Sequence, residues 1–206
     1  MPNPWRWENS DQFCLSFSLE KTPEQVLAIY GADLNKARWL SAEEAPASPA
    51  LGTALRAGSL GRWAFCLEFD NPIGWTAKIM RDLSERTESI ILLRTAKALK
   101  TFHYAVDGEV HEWFEPGYPP SVRGRSRHGF ASQVHVLTSA GAGAIAACSQ
   151  VISQHIGHEL GTEILQGPLL SAAIAEIDRP GLDHPDPPLL YPPSPRKSSS
   201  RLGRRL

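Results

Sequence analysis

Long hydrophobic runs are what this sequence lacks most plainly. No stretch approaches the roughly 18 consecutive apolar residues that a membrane helix requires, and the opening MPNPWRWENSDQF has no apolar core of about 7–15 residues such as a secretory signal carries. A cytoplasmic protein with no membrane partner is therefore expected. Cysteine is scarce as well. Cys14, Cys66 and Cys148 are an odd, widely spaced set without a C-x-x-C pair, which argues against a disulfide framework or zinc ribbon and for reduced core residues. Gly-rich phosphate loops are also missing: Gly141 and Gly143 have neither a following Lys-Ser/Thr nor a preceding strand. No motif implies a cofactor.

Neither sign of charge dominates, with 21 Lys and Arg against 22 Asp and Glu. The balance conceals a division, because residues 179–206 carry a net +4 and residues 1–178 a net −5. A mildly acidic body with a basic tail is not the electrostatic footprint of a nucleic-acid-binding fold. The tail holds seven prolines in 28 residues and too few apolar side chains to build a core. Residues 1–178 are accordingly read as one globular domain and 179–206 as a Pro/Ser/Arg-rich disordered extension. Its Pro192-Pro193-Ser194-Pro195 run resembles a polyproline ligand, but linkers contain such strings just as readily.

What the body does contain is periodicity. FCLSFS alternates Phe13, Leu15 and Phe17 with Cys14, Ser16 and Ser18, the pattern of a half-buried strand. Thr22 then offers an N-cap, Pro23 a first-turn proline, Gln25 a capping-box partner and Gly31 a terminator, so a helix is predicted with Val26, Leu27, Ile29 and Tyr30 on its apolar stripe. WAFCLEFD predicts a second strand with Trp63, Phe65, Leu67 and Phe69 on one face, and TAKIMRDLSER a surface helix. ESIILLRT, LKTFHYAV and EVHEWFE predict a three-stranded antiparallel meander, turned at Asp107-Gly108 and ended by Pro116, Pro119 and Pro120. Residues 41–61 read as a loop or short peripheral helix, 130–156 as one or two helices, and 162–177 as a last helix broken near Gly167-Pro168. The fold class is α+β: a mainly antiparallel sheet of about five strands with a C-terminal meander, packed against two to four helices.

Taken in order, several segments resemble a family of bacterial, mainly actinobacterial, domains of unknown function. They are FCLSFS running into TPEQVLAIYGAD, GRWAFCLEFDN with the Trp75 turn after it, RDLSERTESIILLRT, FHYAVDGEVHEWFEPGYPP and GHELGTEIL. The resemblance spans approximately residues 7–175. It implies no activity and no catalytic residues.

Candidate chemistry is sparse. His155 and His158 stand three apart and precede Glu159, but the zincin pattern needs H-E-x-x-H, and no metal site is assigned. His103 and His111 are expected on one side of neighbouring strands, with His103 aligned near Glu112, an arrangement able to move a proton and equally an ordinary cross-strand pair. Cys66 and Cys14, each between bulky apolar neighbours, read as core fillers rather than nucleophiles. Aromatic residues and arginines cluster more suggestively: Trp75, Trp113 and Tyr118 lie at a turn, a strand end and a proline-limited loop, with Arg123, Arg125 and Arg127 close behind. Such side chains anchor interfaces. The leading expectation is a noncatalytic protein-interaction, regulatory or immunity-like protein with a protein partner. The alternative is a small-molecule enzyme using polar residues near the meander and the 115–128 loop. The Ala/Gly-rich stretch 139–148 would also allow close packing between copies of the chain.

Overall fold

The computed structural model describes residues 12–45 and 52–175. In chain order its elements are β1 (Phe13–Leu19), α1 (Pro23–Ile29), β2 (Arg38–Leu40), β3 (Thr53–Leu60), β4 (Trp63–Phe69), α2 (Ala77–Ser84) and β5 (Glu88–Arg94). There follow β6 (Lys100–Val106), β7 (Glu109–Glu115), β8 (Tyr118–Gly124), α3 (Phe130–Ser139), α4 (Ala144–Ile156), α5 (Thr162–Gln166) and β9 (Leu169–Ile174). The expected tail, 179–206, lies outside the described residues, as do residues 46–51 of the expected 41–61 loop.

The strands form one antiparallel sheet in the order β2-β9-β3-β4-β1-β5-β6-β7-β8. Local signals act as read for the first helix: Thr22 and Gln25 close a reciprocal capping box. Asp107 and Gly108 both take positive φ, 51° and 83°, as the tight turn between β6 and β7 requires.

Among the described residues the sheet has nine strands rather than about five, and five helices pack on it rather than two to four; the differences have local causes. TALRAGSL, read as loop, is β3, paired along its length with β4 and β9. Its Ala, Gly and Ser residues lack β-forming bulk, and neighbours on both sides hold it in place instead. LLSAAI, read as the end of a helix, is β9; the helix before it stops at Gly167-Pro168 after five residues. Of the prolines expected to end the meander, Pro116 lies in the turn after β7, but Pro119 and Pro120 lie in β8, a fourth strand at the sheet edge, where a residue that cannot donate to a ladder is tolerated. RWL forms β2 at the opposite edge.

A second correction concerns burial. The strand at 13–18 is not half-buried: Phe13 to Ser18 are all buried, as are Trp63 to Glu68. Helices cover both faces. One layer, α3, α4 and α5, packs on Phe13, Leu15, Phe17, Phe65, Leu67 and Phe102. The other, α1 and α2, packs on the smaller alternate residues Cys14, Ala57, Ala64 and Cys66. The division is physical: large side chains fill one interlayer space, and small ones let Tyr30, Ile79 and Leu83 approach the sheet closely on the other. All three cysteines are free and buried, and burial pushes their thiols well up, that of Cys148 to about 12. Among the described residues, no helix is long and apolar enough to cross a membrane.

Two buried charges organise this core. Glu68 accepts from the backbone N–H groups of Ile73 and Gly74 and from the Tyr30 hydroxyl, fastening the turn after β4 to the sheet. Burial raises its carboxyl above the ordinary range, against the pull of those hydrogen bonds. Arg56, 1% exposed, donates to the carbonyls of Leu40, Leu165 and Gly167 and so ties β2 and α5 to β3. Desolvation lowers its guanidinium to about 10.

Candidate functional site

Four titratable side chains converge between the sheet and the α3/α4 layer. Glu88 opens β5, Tyr104 stands on β6 next to it, His128 precedes α3, and His155 is in the last turn of α4. Tyr104 is opposite Ile90 in the β5–β6 register, so Glu88 and Tyr104 point to the same face. The Tyr104 hydroxyl donates to Oε2 of Glu88. Oε1 of the same carboxylate lies 3.4 Å from Nε2 of His155.

The two imidazoles are edge to face with centroids 4.5 Å apart; Phe130 stands 5.1–5.3 Å from both, and Tyr104 stands 5.3 Å from His128 and 6.2 Å from His155. Trp63 closes the far side, 5.6 Å from His155. Burial holds His155 below its ordinary value; His128 and Arg127 push in the same direction, while Glu88 opposes them. Burial and the Glu88 carboxylate both raise the Tyr104 phenol, which stays protonated. Arg127 donates from Nε to Nε2 of His128 at 3.2 Å, so that imidazole presents a lone pair there.

Of the residues singled out from the sequence, His103 and Glu112 do not meet. A bulge between Tyr104 and Ala105 shifts the hairpin, placing His103 opposite Trp113 and Tyr104 opposite Glu112. His103 is buried beside Thr101 on the α1/α2 side, where burial depresses it to about 3. His111 instead approaches Tyr104, with ring centroids 6.4 Å apart, on the other face from His103. Glu112 is fully used as a cap: its carboxylate accepts from the backbone N–H groups of Ser126, Phe130 and Ala131 and from the Ser126 hydroxyl, fixing the start of α3. His158 does not join His155; it sits over Gly61 in the β3–β4 turn.

The aromatic and arginine set is partly gathered. Tyr118 is 56% exposed at the start of β8, where it borders a groove of about 160 Å³ with Pro119, Val122 and α3 residues Ala131 and His135. Arg123 lies opposite Trp113 in the β7–β8 pair and also bonds the carbonyls of Pro120 and Val122. Arg125 and Arg127 follow, exposed, in the loop to α3. Trp113 is half-buried, its ring 6.2 Å from that of His103. Trp75 stands apart after β4, which β1, β5 and β6 separate from β7, and its Nε1 donates to the Pro72 carbonyl.

The fold and site define a three-layer α+β protein whose titratable cluster joins the sheet to its second helical layer. The chain belongs to a family of unknown function, DUF6461, whose profile matches residues 4–142. The match therefore includes Glu88, Tyr104 and His128 and stops before α4 and the GHELGTEIL segment. No curated protein and no solved structure matches the chain.

Proposed function

We propose that the protein is a noncatalytic protein-interaction module that receives an acidic partner at the β8 edge, in the cytoplasm of an actinobacterium. One observation carries the reading: Tyr118, over half exposed, stands above a groove between an edge strand and α3, with Arg123 on the same strand and Arg125 and Arg127 exposed in the loop that follows it. β8 ends the sheet order, so no described strand covers its outer side. Pro119 and Pro120 are adjacent, so one of them stands where an outward N–H would be and denies a newcomer a ladder donor, which favours docking through side chains over addition of a tenth strand.

A photocrosslinking residue at position 118, introduced in native cells, tests this. One discrete adduct is expected, missing when the residue is placed at Val136 on α3, which is 67% exposed, and lost on the double change Arg123→Glu, Arg125→Glu. Equal adducts from both positions, or adducts indifferent to charge reversal, contradict the reading.

The alternative, an enzyme acting on a small molecule, draws on a different observation. Its titratable groups would be Glu88, Tyr104, His128 and His155 rather than His103 and Glu112, because only the former converge. A cluster of that kind must first hold a ligand.

A further inference from the structure

We propose that Glu88, His128 and His155 form a three-ligand site for a divalent transition-metal ion of the zinc or cobalt(II) type. Each offers one donor atom, and the three donors lie within 4.8 Å of one another. Two imidazoles and a carboxylate are the donor set such ions take when they keep open positions for water or substrate.

The separations suit an ion. Two ligands each about 2.1 Å from a tetrahedral ion stand about 3.4 Å apart. Nε2 of His155 and Oε1 of Glu88 are already 3.4 Å apart. The third donor, within 4.8 Å, closes by a rotation of the half-buried His128 at the loop end of α3.

Two further observations point to a ligand. Nε2 of His155 is shielded from solvent, and its polar neighbour is Oε1 of Glu88, 3.4 Å away and outside good hydrogen-bond geometry. A buried imidazole nitrogen held that loosely is open to a ligand that takes its lone pair. The other oxygen of Glu88 is held by Tyr104, which leaves Oε1 turned toward the histidines. That is the outer-shell bond which orients a ligating carboxylate. The lone pair of His128 Nε2, which the ion would take, is engaged by a cationic group, the Arg127 guanidinium. Arg127 is exposed and free to swing away into solvent at small cost.

The site is also defended against other ions. Calcium and magnesium prefer six or more oxygen ligands, whereas two of these three donors are nitrogens. The aromatic surround of Trp63, Tyr104 and Phe130 excludes bulk water from the histidine side and strengthens the ion–carboxylate attraction.

The test uses the full-length chain, freed of any affinity tag, titrated at neutral pH with cobalt(II) and then with zinc. Visible d–d absorption and calorimetry report the binding. One cobalt per chain is expected, displaced by one zinc. Glu88→Gln, His128→Ala and His155→Ala should each weaken binding by more than about 100-fold, since changes in outer-shell partners alone cost up to about that factor. His158→Ala and His135→Ala should bind as the parent does. Circular dichroism establishes that each variant is folded; if His155→Ala is not, the polar, half-buried Glu88 and His128 positions decide. The proposal is overturned by a parent chain that takes up neither ion, by Glu88→Gln or His128→Ala binding like the parent, or by loss of binding in His158→Ala.

Discussion

Tyr104 holds one oxygen of Glu88 by its hydroxyl while the other oxygen faces His155 across 3.4 Å, so a single tyrosine sets the direction of the carboxylate at the centre of the cluster. The contact joins neighbouring strands and a helix from the end of the described chain. Tyr104→Phe removes it without changing the volume of the ring. It should weaken zinc binding by about 10- to 100-fold and lower stability by about 1.5–3 kcal/mol, the scale of a hydrogen bond to a charged group. Calorimetry and urea unfolding on the same samples measure both. A variant with unaltered zinc affinity would show that the carboxylate needs no such support.

Arg127 acts in the opposite sense. Its guanidinium engages the His128 lone pair that the ion would take, and its charge repels a dication. Arg127→Gln should therefore tighten zinc binding by about fivefold, the effect of removing roughly 1 kcal/mol of like-charge repulsion near the protein surface. Weaker binding would mean that the arginine orders the site instead of competing for it.

The cradle around Glu68 leaves no room for a methyl group. A Cβ on Gly74 would stand 2.3 Å from both Oε1 of Glu68 and the Tyr30 hydroxyl, each buried and hydrogen-bonded. Gly74→Ala should cost about 2–3 kcal/mol. Gly143, with φ −62° and open space around it, meets no clash on gaining a methyl group and should lose only the N-cap preference for glycine over alanine, at most about 1 kcal/mol. Chemical denaturation of the pair reads the contrast.

The buried His103 gives the fold an acid-sensitive contribution. It is depressed to about 3 in the folded protein against an ordinary value of 6.5, so the unfolded chain takes up the proton first. The contribution is complete above about pH 6.5 and is lost as pH falls toward 3. The slope approaches about 1.4 kcal/mol per pH unit between those limits. His103→Leu should unfold with a stability that falls less steeply over that range, measured as the difference between urea midpoints of parent and variant. Parallel pH profiles would place the proton elsewhere.

How much of this could be read from the sequence follows from how local each signal is. Thr22, Pro23 and Gln25 act within one turn, and Asp107-Gly108 within one hairpin, and both work as their chemistry dictates. The five strongest strands declare themselves by large side chains at every second position. What alternation hides is the second covered face: the side of β1 and β4 that carries Ser16 and Ala64 beside Cys14 and Cys66 reads as half of a half-buried strand, yet small residues are what a close-packed helical layer requires. β3 and β9 lack a clear alternation of large side chains: β3 mixes Ala, Gly and Ser with Arg56 buried where a charge suggests solvent, and β9 follows directly on a helical stretch broken at Gly167-Pro168. The bulge after Tyr104 changed the one register that mattered for the expected His103–Glu112 pair. Tyr118 and the arginines were visible as side-chain types, although β8 was not. Glu88, His128 and His155 share no spacing and come together only because β5, the β8–α3 loop and the end of α4 pack at one end of the sheet.

That convergence is the claim on which the site depends, and long-range nitrogen-15 spectra of the histidine rings during a zinc titration test it most directly. The account predicts that the signals of His128 and His155 move together and saturate at one equivalent, while those of His135 and His158 stay in place. Movement of His158 with His155, or of the exposed histidines alone, would contradict it.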